Sequence, residues 1–303
     1  MDRREFLKRS LAAGIGGAAL LLPGRVGSVF AETAKLPGLA AVRGGEPGEM
    51  FDRGIAALGG MERFVKKGQS VAIKPNMSWD VPPERAANTN PDLVERIVVR
   101  CLEAGASKVY AFDHTCDLWR NCYVNSGIES AVKRAGGIVS PAESSSYYTK
   151  VSIPGARVLK ETSVHRLLLD CDVFINVPVL KHHGGAGITM GMKNLMGTVW
   201  NRGEFHSKGL HQCIADASLV RRPDLTVIDA YRMLTRNGPR GTSASDVTVL
   251  KAQILSTDIV AGDCAGARIF GLDPKDVGHI RLGAELGAGT MDLESLGVER
   301  IVL

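Results

Sequence analysis

Apolar residues arrive in short bursts, separated by glycine and by polar turns, and their spacing changes from burst to burst. VAIKPN (71–76) is a short buried-type strand that ends at Pro75. After the polar loop SWDVPPERAANTN, Pro91 opens a helical stretch, PDLVERIVVRCLEAG, stopped by Gly105. KVYAFDH (108–114) is the next strand, and strand, loop, helix and strand in succession predict a right-handed βαβ unit. SGIESAVKRAGG reads as a further helix, and VSIP and ARVLK as neighbouring short strands suited to a hairpin. CDVFINVPVLK (171–181) is the strongest buried strand. Beyond it come a helix in GLHQCIADASLVRR, strands in LTVIDA (225–230) and KAQILSTD (251–258), helices over 259–270 and 274–286, and a terminal strand, VERIVL. Helical spacing over 50–58 and 61–66 precedes all of these, and the Gly/Pro-rich stretch 32–49 before it reads as a surface lead-in.

This alternation predicts an α/β protein. The expected architecture is a mostly parallel, Rossmann-like sheet, or two such sheets, with helices on both faces. Residues 71–303 would form it, as one domain or as two lobes meeting near 145–165, with 32–70 as lead-in and N-terminal helices. The 35 glycines and the 5% aromatic content fit many tight strand–helix turns better than an all-β sandwich.

The first 31 residues stand apart. Arg3 and Arg4 precede Phe6 and Leu7, an apolar run follows from Leu11 to Leu22, and VFA ends at Ala31. A charged front, a short apolar middle and a small residue at the cut define an export leader, and the twin arginines point to the Tat machinery. The run is too short to span a bilayer comfortably, so no stable membrane span is expected after cleavage, and the expected location is periplasmic or otherwise outside the cytoplasm. The chain carries 37 Lys and Arg against 32 Asp and Glu, but five of the basic and two of the acidic groups lie in residues 1–31. The remainder is close to neutral, with no basic stripe interleaved with aromatics, which argues against a nucleic-acid partner.

Candidate chemistry gathers just behind the strands, where open α/β sheets bind ligands. Lys74 and Asn76 end one strand, Asp113 and His114 another, and Lys181, His182 and His183 the strongest. The segment KHHGGAGITMGMKN then supplies Gly184, Gly185 and Gly187 as an amide nest, a helix N-terminus directed at the same place, and Thr189, Lys193 and Asn194. Lysines around such a nest suit a carboxylate or phosphate, so the expected partner is an anionic small molecule or cofactor. GxxxxGK[ST] is absent, which excludes a Walker-type nucleotide loop. His182 or His183, with His206 or His211, are candidates for acid–base work, Asp229 would orient one of them, and strand alternation sends only one of the adjacent pair into the site.

Two other functional classes stay open. His182, His206 and His211 are alternative metal ligands, as in an accessory protein for an exported redox enzyme, although HExxH, CxxC and ferredoxin-type cysteine spacings are absent. A binding protein without turnover would need the anion site alone. Asp258 is expected to cap the helix that follows it, Met190, Met192 and Met196 to fill core gaps, and Cys116 and Cys122 are placed to pair in an oxidising compartment.

VAIKPN, TNPDLV with LEAGASKVYAFD, DVFINVPVLKHH, GITMGMKNLMGTV, LTVIDAYRM, NGPRG and STDIVAGDCAGARIFGLDP occur in the order typical of the DUF362 family. The chain resembles that family from about Val71 to its end, most specifically in the block from Lys181 to Gly197. The resemblance implies an α/β domain and leaves the activity open. Some members carry an added iron–sulfur segment, which is missing from this chain. The histidine–glycine–lysine block is also similar to that of the lactate racemase family, whose members hold a nickel-bearing pyridinium nucleotide.

Overall fold

Alternate residues of the central strands face different layers, as the continuous apolar runs require. Val71, Ile73, Ile175 and Val227 pack with Phe51, Ile55, Val94 and Ile97 on one face. Ala72, Phe174 and Ile228 pack with Val260, Cys264 and Ile280 on the other. The computed structural model of the chain describes residues 36–303, so the leader read at 1–31 lies outside the described residues.

The strands are β1 (Leu39–Arg43), β2 (Ser70–Pro75), β3 (Lys108–Ala111), β4 (Ile138–Val139), β5 (Tyr148–Ser152), β6 (Glu161–His165), β7 (Val173–Val177), β8 (Val179–His183), β9 (Gly187–Thr189), β10 (Leu225–Leu234), β11 (Val247–Ser256) and β12 (Val298–Val302). One ten-stranded sheet runs β12-β1-β11-β10-β7-β2-β3-β4, with β8 pairing β10 and β9 pairing β8. Its centre is parallel: β10 with β7, β7 with β2, β2 with β3, and β3 with β4. β11 is antiparallel to both β10 and β1. Strands from before and after 145–165 share this sheet, and the segment itself supplies β5 and β6, an antiparallel hairpin outside it.

Three local expectations need correction. The lead-in at 32–49 holds β1, whose Leu39, Ala40 and Val42 are buried between β12 and β11. Its five residues are too short a run, between Gly38 and Gly44, to announce a strand. The buried run 171–181 is two strands, because Pro178 breaks it and β8 leaves β7 to pair with β10. The hairpin strands are Tyr148–Ser152 and Glu161–His165, and ARVLK is the connection between them.

From β2 the chain moves outward through the helix Pro91–Glu103 to β3 and then to β4, whereas β7 returns to the other side of β2. The order of strands therefore reverses between β2 and β7. Their carboxyl ends open a crevice at that point, the position at which such sheets take ligands.

Candidate functional site

A cavity of about 440 Å³ occupies the crevice. Among the described residues four cations line it, Lys74, Lys181, Lys193 and Arg202, and no Asp or Glu side chain does. Asn76, Asn194, Thr189, His183, His206, Cys116, Trp79 and Pro239 complete much of the wall.

Lys74, at the end of β2, is buried and bonds Asp113 at 2.8 Å and Asn194 Oδ1 at 2.7 Å. Asp113 is in turn held by Met77 N at 2.9 Å and Ser78 Oγ at 2.7 Å. Burial lowers the Lys74 pKa and the Asp113 carboxylate works against that. Gly197 is what allows this pair to form, since a Cβ there would lie 1.9 Å from Asp113 Oδ1 and 2.6 Å from Lys74 Nζ. Asn194 ties the floor together, donating to Lys74 O at 3.1 Å and to Asn176 Oδ1 at 2.8 Å and accepting from Asn76 at 3.2 Å.

Lys181 is 1% exposed and has no carboxylate partner among the described residues. Its ammonium donates to Ala87 O and, at 3.4 Å, to Asn76 Oδ1, and lies 5.8 Å from the Trp79 ring centre. Desolvation brings its pKa down to about 7. Lys193 has no hydrogen-bond or ion-pair partner among the described residues, and burial takes it down to about 8. Arg202 is anchored on His114 O at 3.0 Å and Thr115 O at 2.5 Å.

The segment 181–194 folds differently from the expected nest. β8 and β9 form a hairpin that sets Thr189 opposite Lys181, and its glycines make the turn away from the cavity wall. Gly185 N and Ala186 N both donate to His183 Nδ1 at 3.1 Å, and Gly184 N donates to Gly238 O at 3.2 Å. Gly187 has a positive φ of 73°, which serves the turn. The one-turn helix Gly191–Asn194 also has its first amides occupied: Gly191 N and Met192 N donate to Asp263 at 2.6 and 2.9 Å. The amides of Gly184, Gly185, Ala186, Gly191 and Met192 are thus all engaged within the protein. What the segment contributes is side chains, those of Lys181, His183, Thr189, Lys193 and Asn194.

The histidines separate. His183 enters the cavity. Its Nδ1 accepts two amides, so its proton sits on Nε2, and burial with nearby lysines pushes its pKa down to about 3. It is a neutral donor, not an acid that cycles through imidazolium. His182 turns the other way, its Nδ1 accepting from Gly238 N at 3.0 Å, and the close approach of His182 O to position 238 leaves room there for glycine alone. His206 is exposed on the cavity wall. His211 is outside the cavity lining, stacked on His279 with Nδ1 atoms 3.1 Å apart. Asp229 reaches no histidine, because its two oxygens accept from Asn90 N at 2.7 Å and Tyr231 N at 2.9 Å. Burial nevertheless raises its pKa to about 6.

Among the described residues no group of three or more His, Cys, Asp or Glu side chains stands where it could hold a metal ion. His182, His206 and His211 are not brought together: His182 faces Gly238, His206 lies on the cavity wall and His211 packs on His279. Cys116 and Cys122 are not joined, since Cys122 is buried with its thiol on Ser78 O at 3.3 Å and Cys116 is exposed. Asp258 does cap its helix, accepting from Ala261 N, and Met190, Met192 and Met196 are buried in the core. Arg202, Cys116 and Trp79 were not legible as site residues, because each comes from an irregular loop that tertiary packing alone brings to the crevice.

Fold and site together define an α/β protein with a cation-lined cavity at the switch point of its sheet. Residues 71–268 match the domain of unknown function DUF362, and the chain belongs to that family. The thylakoid-associated protein sll1697 of Synechocystis sp. is 28% identical over 242 residues, which is 77% of this chain and 73% of that protein. Among solved structures, the lactate racemase apoprotein from Thermoanaerobacterium thermosaccharolyticum aligns with 14% identity over 70% of this chain, TM-score 0.44. A Thermotoga maritima protein aligns with 13% identity over 80%, TM-score 0.47. The chain spans 53% and 60% of those two structures.

Proposed function

We propose that this protein binds a small anionic ligand, a carboxylate or a phosphate, in the cavity between β2 and β7. One observation carries the reading: among the described residues four cationic side chains line the cavity and no carboxylate does. Asp113 is committed to Lys74, and among the described residues Lys181 and Lys193 have no counter-ion. A buried ammonium with no carboxylate beside it costs stability, and a bound anion is the partner that would offset the cost. Thr189 Oγ1 supports the same reading, being buried in the wall with no hydrogen-bond partner. With a pKa of about 7, Lys181 is the acid–base group of the cavity, and His183 Nε2–H is a neutral donor beside it. Residues 1–31 we read as a twin-arginine leader that directs the protein out of the cytoplasm.

Calorimetric titration of the full chain with sulfate tests the site. Lys193→Ala should weaken sulfate binding by roughly tenfold or more while the thermal unfolding transition stays cooperative. Equal affinity in variant and parent would remove the assignment.

A further inference from the structure

Five of the six cysteines are buried, whereas Cys116 is exposed and stands in the cavity wall. Its sulfur accepts an N–H from Arg202 Nη1 at 3.3 Å, from a guanidinium already fixed on two backbone carbonyls. Its own amide donates to Ser78 O at 2.9 Å, which holds the residue at the rim. Lys181 and Lys193 line the same cavity as this sulfur. Guanidinium and ammonium groups around an accessible sulfur are the surroundings in which cysteines act as nucleophiles.

A second, independent observation points to a ligand in the same cavity. Thr189, only 3% exposed, lines the same cavity, and its hydroxyl has no hydrogen-bond partner among the described residues. A buried hydroxyl left unpaired costs stability, and a ligand oxygen in the cavity would satisfy it.

We propose that Cys116 is the nucleophile of this cavity and adds to the carbonyl carbon of an anionic aldehyde or keto compound. This rests on the anion-binding reading, with the lysines holding the carboxylate or phosphate end. In the step the S–C bond forms and the C=O π bond breaks. The proton of the thiol finishes on the former carbonyl oxygen, giving a hemithioacetal or hemithioketal. No oxidant and no leaving group are needed. The Thr189 hydroxyl and the Lys193 ammonium are the free donors available to the oxygen that gains charge.

Iodoacetate and iodoacetamide test this, because both alkylate sulfur by the same displacement: S–C forms, C–I breaks, iodide leaves and the thiol proton passes to buffer. One reagent is an anion and the other is neutral. Labelling of the full chain, mapped by peptide mass, should show an iodoacetate-to-iodoacetamide rate ratio at Cys116 roughly tenfold above that of 2-mercaptoethanol. Lys193→Met should bring the ratio down towards the small-thiol value, and glyoxylate, a small anionic aldehyde, should slow both labels. A ratio equal to that of 2-mercaptoethanol, or labelling indifferent to glyoxylate, overturns the proposal. Sulfate calorimetry on the same preparation separates the two readings. Sulfate binding with unselective labelling removes the nucleophile and leaves the anion site, whereas absence of sulfate binding removes both.

Discussion

Lys181 and Lys193 sit in the cavity at about 7 and about 8, below the ordinary lysine value of 10.5, and desolvation is the first cause in each case. The sign of the pH dependence follows. Without a ligand, each group binds a proton less readily folded than unfolded, so burial costs stability at low pH, and the cost fades as pH rises from the folded value towards 10.5. An anion reverses the balance by favouring the ammonium forms. Sulfate, whose charge is constant over this range, should therefore bind best below about pH 7 and ever more weakly above about pH 8, with net proton uptake between. Titrations in buffers of different ionisation heat measure that uptake, and an affinity that is flat from about pH 6 to about pH 9 would contradict it. At this scale the sequence was informative where a polar residue follows a buried strand, as for Lys74, Asn76 and Lys181. It was silent where a side chain travels from a loop: Arg202 sits in TVWNRGEF, a stretch with no periodicity to place it. Residue type alone also misleads. His183 and His211 look equally suited to chemistry, yet one has its lone pair engaged by two amides inside the cavity and the other is packed on His279 outside it.

Among the elements, the one-turn helix Gly191–Asn194 brings Lys193 and Asn194 to the cavity and is itself held from a distance. Too short to persist alone, it depends on Asp263, inside the helix Ile259–Phe270, to accept from its first two amides. Asp263→Ala should leave both amides unpaired in the interior and cost about 2 kcal/mol or more. It should also weaken sulfate binding severalfold, although Asp263 is not among the residues lining the cavity. Chemical denaturation and calorimetry on one preparation check both, and a loss of stability with sulfate affinity intact would show that the helix keeps its place without this carboxylate. Glycine density in the sequence correctly marked this region as unusual. It did not show that the amides would be used up by His183, Gly238 and Asp263, because those acceptors depend on cross-strand register and on a helix far along the chain.

For the molecule as a whole, the α/β class, the parallel centre and the crevice position were legible, since long apolar runs alternating with helical spacing permit few other arrangements. The sheet's far edge was not, because β1 is short and β11 and β1 bring antiparallel pairing into a pattern that reads as parallel. The leader reading makes its own prediction. Replacing both Arg3 and Arg4 by Lys should leave the protein in the cytoplasmic fraction, while the unaltered chain leaves it. Fractionation with detection of the mature form decides this, and equal export of the two would end the twin-arginine reading.

β1 pairs with β11 on one side and with β12 on the other. That strand therefore has no place to lie until strands made much later, β11 and β12, arrive to flank it. Closure of this edge waits on segments far along the chain, and any machinery that acts on the nascent protein before they are made meets it still open.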